Sequence, residues 1–122
     1  MDKFQAAFEI LLILSDIDGN IDPREIEVIN YFIESNIGSI EFDTEKVIKN
    51  LSKLTGEGII EELSHAATVF KNQSSAQDRI TILEFSIELI SADDKITDEE
   101  VALLYALGEV WNIDMEEFIQ DL

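Results

Sequence analysis

Cysteine is absent from the chain, which excludes a disulfide framework, thiol catalysis and any cysteine-ligated metal. Proline occurs once and glycine five times, with no low-complexity stretch, so turns must be set mainly by capping side chains and short loops. No apolar run approaches the roughly 20 residues that a membrane-spanning helix needs. The strongest run, Ile10 to Leu14, is followed at once by Asp16 and Asp18 and reads as part of a core helix. There is no signal-like start, and the expectation is a soluble cytoplasmic protein. Histidine occurs once, at His65, with no Ser, Cys or second His in partnered spacing, so no nucleophile and base pair is visible. A Gly-rich phosphate loop and the Asp-Ser-Leu attachment triplet of an acyl carrier are also missing.

Basic residues are the last scarcity: eight, against 27 acids, for a net charge of -19. Such a surface repels nucleic acid and anionic membranes and gathers cations or basic proteins, although acidity also serves solubility alone. The imbalance is uneven. From Asp93 onward there are ten acids and one base, Lys95, whereas Lys46, Lys49 and Lys53 share one face of an expected helix.

With 46% hydrophobic residues in a chain of 122, one domain with one sizeable core is expected. Seven helices follow from helical periodicity and capping residues. The first runs from about Lys3 to Ser15; the second is capped by Asp22, with Pro23 at its first position, and runs to about Ser35. Asp43 caps a third, a fourth carries Ile59, Leu63, Ala66 and Phe70, and Ser75 with Asp78 opens a fifth. The fifth is apolar on more than one face and is expected to be the buried centre. Thr97 caps a sixth and Asp114 starts a short seventh, with Trp111 and Phe118 expected to pack between the last two. Nothing alternates with strand period, so the fold class is all-α.

One acidic pattern occurs twice, 75 residues apart: Asp18-Gly-Asn-Ile21-Asp-Pro-Arg-Glu25 and Asp93-Asp-Lys-Ile96-Thr-Asp-Glu-Glu100. Leu14, Ile26, Val28, Ile29 and Phe32 around the first answer to Leu89, Val101, Leu103, Leu104 and Leu107 around the second. This is the signature of an internal duplication. An EF-hand frame with Gly19 at loop position 6 sets Asp16, Asp18, Asp22 and Glu25 on ligand positions but puts Leu14, and in the second copy Leu89, at position 1. Both copies fail at the same essential ligand, which argues against an EF-hand-like calcium sensor.

The reduced motif, D-G/x-x-I-x-x-x-E, resembles that of the tellurite-resistance TerB family, whose helical domains carry acidic A-D-G-x-I-x-x-x-E signatures in two related hairpins. The resemblance spans about Phe8 to Phe118. Ile17 stands where the family has a small residue, and Asp94 where it has glycine. It implies a single TerB-like domain over residues 1–122, with the repeat at about 8–35 and 83–110 and the acidic loops brought to one side. It further implies a metal site on Asp18, Glu25, Asp93 and Glu100, with Asp22 and Asp94 as second-tier ligands. Oxygen ligands alone suit a hard divalent cation, Ca²⁺ or Mg²⁺.

Capping competes with that role, because Asp22 with Glu25 and Thr97 with Glu100 both read as capping boxes. The functional expectation is a non-enzymatic module of a tellurite or stress resistance system. It would bind a divalent cation, a basic protein partner (free or membrane-associated), or both, with no organic cofactor, nucleic acid or membrane insertion. Metal-dependent hydrolysis and mimicry of nucleic acid are the competing readings.

Overall fold

The computed structural model describes residues 1–15, 22–91 and 97–120. Among them are seven helices and no strand: α1 (Lys3–Ser15), α2 (Pro23–Asn36), α3 (Thr44–Ser52), α4 (Glu57–Gln73), α5 (Ala76–Ser91), α6 (Asp98–Trp111) and α7 (Met115–Gln120). None of these helices is long and apolar enough to cross a membrane.

The helices begin where side-chain oxygens take up the free N–H groups of a first turn. Asp43 Oδ1 accepts from Lys46 N at 3.2 Å, and Asp114 Oδ1 from Glu117 N at 3.1 Å. Before α5, Ser75 and Asp78 exchange bonds of 3.3 and 3.1 Å. Only α4 follows a residue with no side-chain cap, Gly56, whose φ of +50° is one that glycine adopts without strain. At the far end of α6, Asn112 takes the left-handed conformation (φ 58°) that closes a helix.

The buried centre is α1, not α5. Residues Ala6 to Leu14 of α1 are all buried in unbroken succession, a pattern that only a helix covered on every side can have. It packs most extensively on α4 and also against α2, α3, α5 and α6. In α5 the buried set is sparser, Ile82, Leu83, Phe85, Ser86 and Ile90. Phe8 meets Phe42 edge to face, with ring centroids 5.5 Å apart. Phe32 of α2 stacks on Phe85 of α5 at 3.8 Å.

Trp111 also has a contact that the sequence did not indicate. Its indole donates to the Ala67 carbonyl of α4 at 2.8 Å and lies against Phe70, centroids 5.7 Å apart. The tryptophan thus ties α6 to α4. Between α6 and α7, Met115 packs on Gly108, where a Cβ would fall 2.2 Å from its Cγ.

The offset of 75 residues carries Asp22 onto Thr97 and the bounds of α2 onto those of α6. Ile29 and Leu104 are both buried at equivalent places, but Val28 is exposed where Leu103 is buried.

Candidate functional site

Two acidic segments enter helices of equal length, α2 and α6, and their described parts differ in what the carboxylates do. Asp18, Asp93 and Asp94, with the anchors Ile21 and Ile96, lie outside the described residues. Asp22, Glu25, Thr97 and Glu100 lie within them.

At the start of α6 the capping box is complete. Thr97 Oγ1 accepts from Glu100 N at 3.2 Å, and Glu100 Oε1 accepts from Thr97 N at 2.9 Å. One Glu100 oxygen is therefore committed to its own helix, and the other is free of that duty.

At the start of α2 the expected box does not form. Asp22 Oδ1 instead accepts from Arg24 N at 2.9 Å, while Oδ2 meets the Arg24 guanidinium at 3.3 Å. The Arg24 backbone bond, then the side-chain bond to the same residue, hold the Asp22 carboxyl below its usual range. The backbone N–H of Glu25 goes to the Asp22 carbonyl at 2.9 Å, within the main chain. The Glu25 side chain is left out, and its Oε2 is buried with no hydrogen-bond partner. Asn30 Oδ1, on the same helix, is in the same condition. At 100° per residue, Glu25 and Asn30 flank the inward stripe of Ile26, Ile29 and Ile33.

An orphaned buried carboxylate oxygen is costly, and in a native protein it calls for an explanation. A hard cation is one chemistry that answers it, and the nearby acids offer oxygen donors only. No group of three or more His, Cys, Asp or Glu side chains with metal-binding geometry occurs among the described residues. The sequence motif thus contributes two carboxylates to the described structure, Glu25 with an orphaned oxygen and Glu100 engaged in its capping box.

A second acidic site was not anticipated from the sequence. Glu9, in the middle of α1, is 3% exposed, the one buried ionisable side chain among the described residues. Gln5 Nε2 donates to its Oε2 at 3.0 Å. Burial, reinforced by the Glu62 carboxyl, raises its pKa from 4.5 to about 7, against the lowering effect of Gln5. Glu62 is half-buried, and its Oε1 lies 3.4 Å from His65 Nδ1. The available signal was an acid alone within the otherwise apolar run Ala6 to Leu14.

Taken together, fold and site define a small all-helical module with acidic entries to two matched helices. Over residues 4–121 the chain matches the family model described as Tellurite resistance protein TerB. The protein belongs to the TerB family. No curated protein and no solved structure matches it.

Proposed function

We propose that the protein is a non-enzymatic module of a tellurite-resistance type system that holds a divalent cation, Ca²⁺ or Mg²⁺, on Asp18, Glu25, Asp93 and Glu100. With or without the ion, the acidic face docks a basic protein partner. The observation that carries this reading is the orphaned Oε2 of Glu25. Capping would have accounted for that carboxylate fully, yet the cap is supplied by Asp22. The oxygen of Glu100 outside its capping bond is a second donor of the same hard character. Asp22, with both oxygens engaged by Arg24, contributes charge rather than a ligand.

The test is calorimetric titration of metal-free protein with Ca²⁺, Mg²⁺ and Mn²⁺ at moderate salt, with thermal stability followed in parallel. Saturable binding of near-integral stoichiometry is expected, and the double variant Asp18→Asn/Asp93→Asn abolishes it without unfolding. Because Glu25 is outside the cap, Glu25→Gln is also a clean probe, with an expected affinity loss on the order of tenfold or more. Weak, non-saturating heats that vanish with salt would mean a diffuse counter-ion cloud and remove the cation from the reading. Binding unchanged in the double variant would remove the residue assignment.

A further inference from the structure

A cavity of about 210 Å³ lies where α1, α3 and α4 meet, and none of Asp22, Glu25, Thr97 or Glu100 lines it. Its lining holds two chemistries: Gln5, Glu9 and Glu62 are polar and Val47, Leu51 and Leu54 apolar, with Met1 and Asn50 completing it. We infer that this cavity is a binding site for a small primary aliphatic amine, with the ammonium between Glu9 and Glu62 and the alkyl stem along Val47, Leu51 and Leu54.

Four observations lead there. First, Glu9 is almost wholly removed from water, and no Lys or Arg pairs with it or with Glu62 among the described residues. The one basic group paired there is His65, 3.4 Å from Glu62, which when protonated lowers the Glu9 pKa against the larger effect of burial. A buried carboxylate without a counter-charge is strongly unfavourable, and a second carboxyl beside it makes it more so. Burial and Glu62 together hold the Glu9 proton up to about pH 7, so without a ligand the pair relaxes by keeping a proton. A cation in the adjoining space relieves the same strain.

Second, the donors and acceptors match an ammonium. Gln5 uses its amide N–H on Glu9, which leaves its carbonyl oxygen as an acceptor. The three N–H donors of a primary ammonium can then meet Glu9, Glu62 and Gln5, three side chains that line the cavity. Third, a bare divalent ion is a poor fit. Ca²⁺ requires six to eight oxygens and Mg²⁺ a near-ideal octahedron, whereas Val47, Leu51 and Leu54 present carbon.

Fourth, the size suits a short amine. The volume equals that of roughly seven liquid waters, enough for an ammonium and a stem of roughly four to six carbons. The surplus of acids, 27 against eight bases, raises the local concentration of any such cation.

The experiment titrates the full chain with n-pentylamine, using 1-pentanol and ammonium chloride as probes that lack the charge and the stem. Saturable one-to-one heats are expected for pentylamine alone, with Tm raised by about 10 °C when free amine is one hundred times Kd. At pH 6 about one proton is released per amine bound, as Glu9 ionises against it. That release is read from heats in buffers of different ionisation enthalpy.

Glu9→Gln and Glu62→Gln each reduce the affinity at least tenfold, and Glu9→Gln abolishes the proton release while melting no lower than the parent. Titration of Glu9→Gln with Ca²⁺ or Mg²⁺ gives the same result as the parent, which keeps this site apart from the acidic loops. Equal binding of pentanol, equal binding of ammonium chloride, or undiminished pentylamine binding by a folded Glu9→Gln variant would each overturn the assignment.

Discussion

Glu9 shows what one side chain can do to the pH response of a small domain. Its carboxyl titrates near 4.5 when the chain is unfolded and near 7 when folded, so between these values the native state holds more protons. Stability therefore falls as pH rises: the contribution of Glu9 is fully present below about pH 4.5 and lost through pH 7, on the order of a few kcal/mol. Glu9→Gln keeps a neutral hydrogen-bonding group at every pH. Denaturant unfolding at pH 5 and pH 8 is expected to show a larger fall for the parent than for the variant. Equal falls would mean that Glu9 is solvated in the native state.

The sequence signals an acid inside an apolar run but not its burial, because such an acid is buried only if neighbouring helices close over it. Val47, Leu51 and Glu62, which share its cavity, stand some 40 to 50 residues further along the chain. Asp22 and Glu25 teach the same lesson at shorter range. Their spacing is that of a capping box, as is that of Thr97 and Glu100, yet only the second pair closes one. Arg24, two residues after Asp22, draws both of its oxygens away. Asp18 and Asp93 of the proposed ligand set lie outside the described residues and are assigned from the sequence motif.

At the scale of the helix, sequence and structure agree closely because the information is local. Asp22, Asp43, Ser75, Thr97 and Asp114 each precede the helix expected of them, and a cap needs only its own first turn. This predicts an asymmetry between α2 and α6. Thr97→Ala removes a working cap and is expected to cost about 0.5–2 kcal/mol. Glu100→Gln weakens the same box, so any effect on cation binding is mixed with helix stability. Glu25→Gln breaks no capping bond and is expected to leave stability unchanged or improved, since it removes a charge whose buried oxygen is unpaired. Chemical denaturation of the three variants in metal-free buffer checks the order, and a Glu25→Gln variant as destabilised as Thr97→Ala would show that Glu25 supports its helix after all.

Across the molecule, what periodicity could not rank was which helix lies at the centre. Both α1 and α5 are apolar on more than one face, and a wide stripe reports the number of neighbours without naming them. The answer depends on α1 packing against five other helices, a property of the assembled whole. Removing side-chain volume from α1 should therefore injure every layer at once. Leu11→Ala, at a fully buried position, is expected to cost about 2–5 kcal/mol. Trp111, the only tryptophan, is buried between α6 and α4 and reports on their contact. Its fluorescence and the helical circular dichroism should change at one denaturant midpoint. Separate midpoints would show that the α4–α6 contact melts on its own.

The placement of α1 also sets the order of synthesis against the order of burial. The most apolar helix leaves the ribosome ahead of the helices that cover it, two of which, α4 and α6, end at Gln73 and Trp111. At about 5–20 residues per second, the nascent chain carries Phe8, Leu11 and Leu12 incompletely covered for roughly 5–20 s before α6 is complete. Those seconds are when the chain is open to aggregation or capture by a chaperone, and they end only as the last large helix closes over the first.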